Sequence, residues 1–427
     1  MTGTTAAIGD TPAGPKSAGA TASPPEHRWR TLALVVLTNM NVAAIPVMAL
    51  SVLFKEISDD LGLTVVQVGI VYGVTSLPFV IFSLFGGALA DRLGPRRIII
   101  VGTIIIGLFG IARGFAFDFV SLVGTVFLMS AVVPLVVMSG SKTIGESFPS
   151  HQLGLAMGLN AMGMAFGFFF GSILSAAVLS PLLGGWRWVF VFYGAATLLI
   201  SVPWILLPKP VHRARGVIGS SGAVSLKDNA LHVIRLKDVW LLGFALFGFN
   251  GAMQGVLGYL PLYLRNTGWI PNVADTSVAA FHLISMAFVL PIALWSDRLR
   301  SRKPLIMSAA ALSLAGVLLM SRVHGGGVWA AVLMTGFVRD GFMAIILTMV
   351  IETRGVGPAY AGTATGLMMT ISNIAKVAAP PIGNSLENFS TGGPFVFWAA
   401  LVAFGIVCLF LYGRTSSPTP PLPVGND

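Results

Sequence analysis

Long apolar runs alternate with short polar segments along the chain, from Thr31 almost to the C-terminus. Each run has about 20 residues or more, the length that an α-helix needs to cross the hydrocarbon core of a bilayer. The pattern predicts an all-α membrane protein with twelve transmembrane helices. We place these spans at 31–53, 66–90, 97–117, 120–144, 153–179, 187–207, 239–264, 277–296, 304–322, 328–351, 361–385 and 393–413.

One polar stretch, from Lys209 to Lys237, is longer than the others and divides the predicted spans six and six. It predicts a linker between two halves, with a short amphipathic helix near 225–237. The two ends of the chain lack an apolar period, which predicts disorder. The expected organisation is a disordered cytoplasmic tail (1–27), an N-terminal six-helix bundle (28–208), a cytoplasmic linker (209–238), a C-terminal six-helix bundle (239–414) and a second disordered cytoplasmic tail (415–427).

Composition supports a membrane protein and excludes most enzymes. The 427 residues are 55% hydrophobic and 10% charged, whereas soluble domains have about 25% charged residues. We find no phosphate-binding loop, no Cys/His metal spacing and no hydrolytic triad, so we predict neither an enzyme nor a cofactor. The single cysteine, Cys408, lies in the last apolar run, where we expect it to pack rather than react.

The basic residues predict the orientation of the chain in the membrane. The formal charge is +10, but the basic residues fall mostly in short loops between spans, which argues against nucleic-acid binding. Nineteen of the 26 lysines and arginines fall on the side of the N-terminus, and five fall on the other side. Because basic residues concentrate in cytoplasmic loops, we predict a cell-membrane protein with both termini in the cytoplasm.

Several motifs recur in the two halves at a nearly constant offset, which predicts a duplicated six-helix unit. Because six is even, both copies enter the membrane in the same direction, as parallel repeats do. The recurring residues are Asp91 and Asp297, and Glu146 and Glu352, each pair 206 apart, followed by Gly154 with Gly158 and Gly362 with Gly366, each 208 apart.

A charged loop follows span two and reads Gly87-x3-Asp91-Arg92-x-Gly94-x-Arg96-Arg97, with a weaker copy at Asp297-Arg298. This loop resembles the signature loop of the major facilitator superfamily, and Gly185-Trp186-Arg187-Trp188-Val189-Phe190 before span six is similar to another segment that recurs there. The resemblance covers residues 28–414. It implies two six-helix bundles around a central cavity that opens alternately to each side of the membrane.

The resemblance also implies a cytoplasmic latch that holds one conformational state. Asp91 would accept hydrogen bonds from the N-terminus of span eleven, and Arg92 and Arg96 would pair with Glu146 at the end of span four. Gly94 would allow a tight turn. The alternative is that these charges only anchor the topology. The predicted gating residues are Gly87, Asp91, Arg92, Gly94, Arg96, Glu146, Asp297, Arg298 and Glu352.

We place four ionisable residues at membrane depth: His282, Arg339, Asp340 and Lys376. Such residues are costly in a bilayer and usually face a cavity or one another. Arg339 and Asp340 are adjacent, about 100° apart on a helix, so we expect no direct pairing between them. One cation in excess would suit an anionic substrate, with Asp340 and His282 as candidates for proton coupling. The alternative is a closed, structural charge network.

Five amides accompany these charges at similar depths and are candidates for substrate binding together with Arg339 and Lys376. For each amide, a hydrogen bond between helices is an alternative role. The five are Asn39, Asn41, Asn250, Gln254 and Asn373.

Span five carries Gly163, Gly167 and Gly171, four residues apart, which predicts close packing on one helix face. Drug antiporters of the superfamily carry a glycine–proline pair in this span and an arginine in span four. Neither is present here, which disfavours drug efflux.

The first hypothesis is therefore a secondary active transporter of a small organic anion, coupled to protons or to a counter-solute. We expect a monomer in the lipid bilayer that binds no nucleic acid. Efflux of hydrophobic compounds is the second hypothesis, and a receptor or scaffold without transport is the third.

Overall fold

The computed structural model describes residues 25–82, 93–206, 226–299, 301–323 and 325–413. Both predicted tails and much of the predicted linker fall outside these ranges. The described residues form helices and no strands, which confirms the all-α prediction. We number the spans α1 Arg28–Leu61, α2 Val65–Phe82, α3 Pro95–Gly114, α4 Phe119–Ser147, α5 Gln152–Leu183, α6 Trp186–Leu206, α7 Lys237–Asn266, α8 Pro271–Ser296, α9 Lys303–Met320, α10 Gly327–Glu352, α11 Gly357–Ser385 and α12 Gly393–Leu411.

Eleven of these helices, within the described ranges, have the length and apolar composition needed to cross a membrane. The remaining one, α11, has 29 residues and is long enough. Its hydropathy is lowered by Asn373, Lys376 and Asn384. α11 therefore has the least apolar composition of the twelve helices, and it carries the predicted site residues Asn373 and Lys376.

Several helices extend beyond the apolar runs that predicted them. α1 continues to Leu61, past the predicted end at residue 53, and stops at Gly62, whose φ of 62° is left-handed. The extension carries Lys55 and Glu56, whose charges ended the apolar run but are compatible with a helix in the aqueous phase. Leu226–Ile234 forms the short helix expected in the linker.

The turn before α3 has the predicted conformation. Gly94 has a φ of 81°, and Pro95 occupies the first helical position that follows. A positive φ is accessible to glycine without a steric penalty, and the fixed φ of proline suits the first turn of a helix. Gly94 therefore forms the tight turn before α3 that the sequence predicted.

Two helices contain a π-helical turn, at Met40–Ala44 in α1 and at Ser175–Leu179 in α5. Such turns interrupt the regular hydrogen-bond ladder and often occur at functional sites. The turn in α1 directly follows Asn39, a predicted site residue.

The glycines of α5 pack against α1 as predicted. A methyl group added at Gly167 would lie 2.7 Å from the Cβ of Ala44, and one at Gly171 would lie 2.9 Å from the Cα of Ile45. Both distances are too short for two carbon atoms. Alanine at either position would force the helices apart, so the packing role is confirmed.

In the C-terminal half, Trp398 of α12 fills the space left by two glycines. Added methyl groups at Gly255 of α7 and at Gly383 of α11 would both collide with its indole. The indole Nε1 donates a hydrogen bond of 3.1 Å to the carbonyl of Ala379. This fully buried ring joins α7, α11 and α12 into one unit behind the predicted site residues.

Candidate functional site

The two halves contact each other on the side opposite the start of α1 and the end of α12. We call this the far side, and the other the terminal side. A methyl group added at Gly69 of α2 would lie 2.8 Å from the Cα of Pro381 of α11. Asn384 Nδ2 donates a hydrogen bond of 2.9 Å to the carbonyl of Val65. These contacts join α2 to α11 across the two halves.

The helices α1 and α7 add a second contact on the far side. Ser51 Oγ donates a hydrogen bond to the carbonyl of Leu257, and Gly258 leaves space that the ring of Tyr72 occupies. The Tyr72 hydroxyl is buried and has no hydrogen-bond partner among the described residues. It is an unused donor beside the contact between the halves.

Four glycines near the terminal side recur at equivalent positions of the sequence repeat. Methyl groups added at any of these four residues would meet no other described atom within 4 Å. Within the described ranges, the halves therefore touch on the far side and leave space around these glycines on the terminal side. The four residues are Gly154, Gly158, Gly362 and Gly366.

The charged pair on α10 corrects one expectation. Arg339 Nη1 lies 2.9 Å from Asp340 Oδ1, so the two adjacent residues do form an ion pair. Their Cβ atoms diverge by the expected angle, but the long arginine side chain bends back to its neighbour. The backbone N–H of Asp340 also donates a hydrogen bond of 3.2 Å to Ser285 Oγ of α8.

His282 of α8 is 2% exposed and contacts the N-terminal half. Its Nε2 lies 3.1 Å from the sulfur of Met48. Its ring stacks on that of Phe168 of α5, with centroids 5.1 Å apart and an interplanar angle of 16°. The guanidinium carbon of Arg339 lies 5.6 Å from the centroid of the same Phe168 ring. One phenylalanine of the N-terminal half thus touches two predicted site residues of the C-terminal half.

Lys376 of α11 lies just inside the far-side contact. The next residue, Val377, presents its carbonyl to Gly73 of α2. Lys376 is partly buried, and the described residues place no carboxylate within 4.0 Å of its ammonium group. Because Asp340 pairs with Arg339, Lys376 remains a cation without a paired carboxylate among the described residues.

The predicted amides have different environments. Asn250 Nδ2 donates a hydrogen bond of 2.7 Å to Ser372 Oγ, and Asn39 Nδ2 donates one of 2.9 Å to Asn160 Oδ1. Asn41 Nδ2 bonds the carbonyl of Leu37 in its own helix. Asn373 is 7% exposed, and Gln254 is partly buried.

A family model described as the Major Facilitator Superfamily matches residues 32–380. The chain belongs to the major facilitator superfamily. It is a multi-pass membrane transporter and not an enzyme, as the sequence predicted.

Relatives in the superfamily differ in the compounds that they are named for. The chain is 26% identical over 418 residues to the "probable sulfoacetate transporter SauU" of Cupriavidus necator, covering 90% of this chain and 94% of that protein. It is 26% identical over 369 residues to the quinolone resistance protein NorA of Staphylococcus aureus, covering 82% and 89%.

A solved structure confirms the fold. The bacterial homolog of the human lysosomal transporter Spinster, in an inward-facing and occupied conformation, matches with a TM-score of 0.76 at 15% identity. The match covers 92% of this chain and 98% of that one.

The described part of the superfamily's signature loop does not form the predicted pair with Glu146. Arg96 donates hydrogen bonds of 3.0 and 3.1 Å to the carbonyls of Trp204 and Ile205 at the end of α6. Glu146 lies 3.9 Å from Lys142, one turn earlier in α4. Gly87, Asp91 and Arg92 lie outside the described residues, so the latch itself stays a prediction.

The equivalent pair forms in the C-terminal half. Arg302 and Glu352 stand 206 residues after Arg96 and Glu146. Arg302 Nε lies 3.2 Å from both carboxylate oxygens of Glu352. The guanidinium also donates a hydrogen bond of 2.8 Å to Ser296 Oγ.

The other members of this C-terminal copy of the loop are less fully described. Arg298 lies in the last turn of the helix Pro271–Arg298. The side chain of Asp297 falls outside the description. The role of Asp297 and Arg298 in gating stays a prediction.

Sequence reasoning missed two buried charged sites. Arg113, which we counted among the five basic residues on the side opposite the N-terminus, is 1% exposed at the end of α3, with its guanidinium 3.7 Å from the ring centroid of Phe190. Its Nε and Nη1 have no hydrogen-bond partner among the described residues. Arg265 and Asp275, at the far-side ends of α7 and α8, form a buried ion pair with two contacts. Both sites lie close to the ends of spans, where the hydrophobic pattern of the sequence does not show whether a charged side chain is buried.

Proposed function

We propose that this transporter carries a small organic anion by alternating access, and that Lys376 and Arg339 bind it in the space between the halves. The observation that supports this most directly is that two cations, Lys376 and Arg339, accompany one carboxylate, Asp340. Asp340 is the acidic member of the group and is paired with Arg339. Lys376 has no carboxylate within ion-pair distance among the described residues.

The electrostatic reason is the low dielectric constant of a membrane protein interior. An unpaired charge there is costly, and the cost is relieved when a charge of opposite sign binds. A carboxylate or sulfonate beside Lys376 would supply that charge. A neutral or cationic ligand would not lower the free energy of the unpaired Lys376 charge. The site therefore selects ligands that carry a negative charge.

Polar groups near the two cations can orient the anion. The amide of Asn373 stands one helical turn before Lys376, and the partly buried Gln254 of α7 remains a candidate beside it. The buried Tyr72 hydroxyl, which has no hydrogen-bond partner among the described residues, adds a donor beside the contact between the halves. Asn39, Asn41 and Asn250 remain candidates, although their amides are already engaged in this state.

The relative from Cupriavidus necator supports the same class of substrate. Sulfoacetate, the compound for which this relative is named, is an organic anion with a carboxylate and a sulfonate. We therefore propose small carboxylates and sulfonates as the first compounds to test.

Coupling to protons or to a counter-solute completes the proposal. Asp340 can take up a proton where it faces Arg339, and His282 lies on the contact between the halves. Protonation of Asp340 would break its pairing with Arg339 and free a second cation for the substrate. Exchange against a second anion requires no proton, so a pH gradient distinguishes the two modes.

The proposal includes the orientation of the chain in the membrane and the latch on the cytoplasmic side. With both termini cytoplasmic, the present state opens inward. Asp91 and Arg92 would then close the terminal side in the opposite state, with Glu146 as the partner of Arg96. The division into bundles at 28–208 and 239–414 follows the linker between α6 and α7.

A second function is efflux of hydrophobic compounds. The observation in its favour is the resemblance to the quinolone resistance protein NorA. The aromatic and sulfur contacts of Phe168 and Met48 also give part of the cavity an apolar lining. This function predicts transport that does not depend on Lys376.

Uptake into proteoliposomes tests the first function against the second. The panel contains short carboxylates, dicarboxylates, sugar acids and sulfonated acids, each beside its neutral amide or ester, and one fluorescent hydrophobic cation. We expect saturable uptake of at least one acid and none of its neutral analogue. A pH gradient of about one unit should stimulate uptake if protons are coupled, and preloaded acid should stimulate it if exchange operates. Transport of the hydrophobic cation alone would contradict the proposal.

A further inference from the structure

Phe168 contacts the C-terminal half through two residues of the proposed site, His282 and Arg339. Its ring is parallel to that of His282 at 5.1 Å, and the Arg339 guanidinium lies 5.6 Å from its centroid. His282 is held from a second direction by the sulfur of Met48. Phe168 and Met48 belong to the N-terminal half, whereas His282 and Arg339 belong to the other half.

Its neighbours in the same helix do not share this environment. Phe166 and Phe170 are 37% and 39% exposed, and each is two residues from Phe168, about 200° around an α-helix. They line an apolar groove of about 520 Å³ between α1 and α5, which also includes Trp29. Among these three phenylalanines, Phe168 is the one turned toward the other half.

We propose that Phe168 is a positioning residue that holds the Arg339 guanidinium in the cavity while the protein is open to the terminal side. An aromatic ring attracts a guanidinium by its electron-rich face, and stacking fixes the neighbouring imidazole in one orientation. The ring and the carboxylate of Asp340 therefore both restrict the Arg339 guanidinium. The ring acts on substrate through Arg339 and makes no direct contact with it.

The position of Phe168 makes this effect dependent on conformation. Alternating access moves one half relative to the other, and Phe168 lies near the middle of α5, where its contact joins the two halves. We expect this contact to break when the halves rearrange to open the far side. Phe168 would then leave both His282 and Arg339. A contact made in one of two states stabilises that state, so Phe168 should favour the terminal-open state and the affinity for anion in it.

This inference rests on the proposed function only for the role of Arg339 in binding an anion. The effect on the balance of the two states does not depend on any substrate. The two statements can therefore be tested separately, with one readout for each.

The first readout is labelling of an introduced cysteine that reports opening on the terminal side. Cys408 is the only cysteine in the chain, and Cys408→Ser gives a background without thiols. Gly158→Cys places a thiol where an added carbon meets open space in this state. We compare Phe168→Leu and Phe168→Tyr with the matched control Phe166→Leu, using a membrane-impermeant maleimide on protein reconstituted in one orientation.

We expect Phe168→Leu to slow the labelling about two- to fivefold, the effect of losing one cation–π contact of ordinary strength. Phe168→Tyr keeps the ring and should label at the parent rate, as should Phe166→Leu. Equal rates for Phe168→Leu and the parent would overturn the inference, as would an equal slowing by Phe166→Leu. Equal thermal unfolding midpoints of Phe168→Leu and the parent exclude loss of structure as the cause.

The second readout is the KM for a transported acid added on the terminal side. Phe168→Leu should raise this KM by the same two- to fivefold factor, with Phe168→Tyr restoring it. If no acid is transported but labelling still slows, the proposed anion function fails and the contact between the halves stands. If acids are transported and neither KM nor labelling changes in Phe168→Leu, the inference fails while the proposed function stands.

Discussion

Replacing Lys376 with methionine tests whether its charge serves substrate or structure. Methionine has nearly the length of lysine but no charge, so Lys376→Met removes one ammonium group and little volume. Asp340 already has Arg339 at 2.9 Å, so the substitution leaves no carboxylate without a partner. The structure therefore predicts separate effects on transport and on stability.

The magnitude follows from the contact that an anion would lose. A hydrogen bond to a charged group contributes about 1.5–3 kcal/mol, and about 1.4 kcal/mol corresponds to a factor of ten in affinity. The KM for a transported acid should rise about 10- to 150-fold in Lys376→Met. The unfolding midpoint in detergent should stay the same or rise, because an unpaired charge in a membrane interior is itself costly.

Initial rates of uptake in proteoliposomes give the KM, and thermal unfolding followed by tryptophan fluorescence gives the stability. The matched control is Lys55→Met. Lys55 forms an exposed ion pair with Asp59 one turn away, a kind of pair that contributes little, so both readouts should remain at the parent values. A fall in stability with unchanged KM would refute the reasoning and favour a closed structural network of charges.

Three further substitutions address other parts of the account. Asp340→Asn should free the Arg339 guanidinium and abolish stimulation by a pH gradient, while exchange of preloaded acid persists; uptake with and without the gradient measures this. Asp275→Asn leaves the buried cation of Arg265 without a carboxylate and should lower the free energy of unfolding by about 3–5 kcal/mol, as measured by thermal unfolding in detergent. Gly73→Ala places a carbon against the backbone of α11 and should weaken the far-side contact, so that a cysteine at the far end of α2 is labelled faster.

The helices could be predicted from the sequence because the bilayer imposes a simple requirement. Every backbone polar group in a membrane must be satisfied within the protein, so an apolar run of sufficient length is a helix. The positions of all twelve spans followed from this requirement. Their ends did not, since α1 extends through Lys55 and Glu56 to Leu61, where water permits charged residues in a continuing helix.

The charged pair of α10 shows a limit of reasoning from helix geometry. Adjacent residues of an α-helix, such as Arg339 and Asp340, direct their Cβ atoms about 100° apart. Arginine has four rotatable bonds, so its guanidinium can reach an adjacent residue despite that angle. The direction of a long side chain is set by its surroundings and could not be taken from the helical period alone.

Phe168 was missed for a different reason. It lies in the run Phe168-Phe169-Phe170, and such a run gives no sign of which ring faces lipid and which faces the other half. The identity of the facing residue depends on the packing of α5 against α8, between positions that are far apart in sequence. A charged residue in the run, for example, would have been needed to distinguish Phe168 from the two phenylalanines that follow it.

The central claim is that the cavity selects an organic anion by its charge. Calorimetric titration of the purified transporter with one acid and its neutral amide tests this most directly, because the two ligands have nearly the same shape. The claim predicts saturable binding of the acid, weaker binding by Lys376→Met, and no binding of the amide. Equal affinity for acid and amide, or an affinity for the acid that Lys376→Met leaves unchanged, would contradict it.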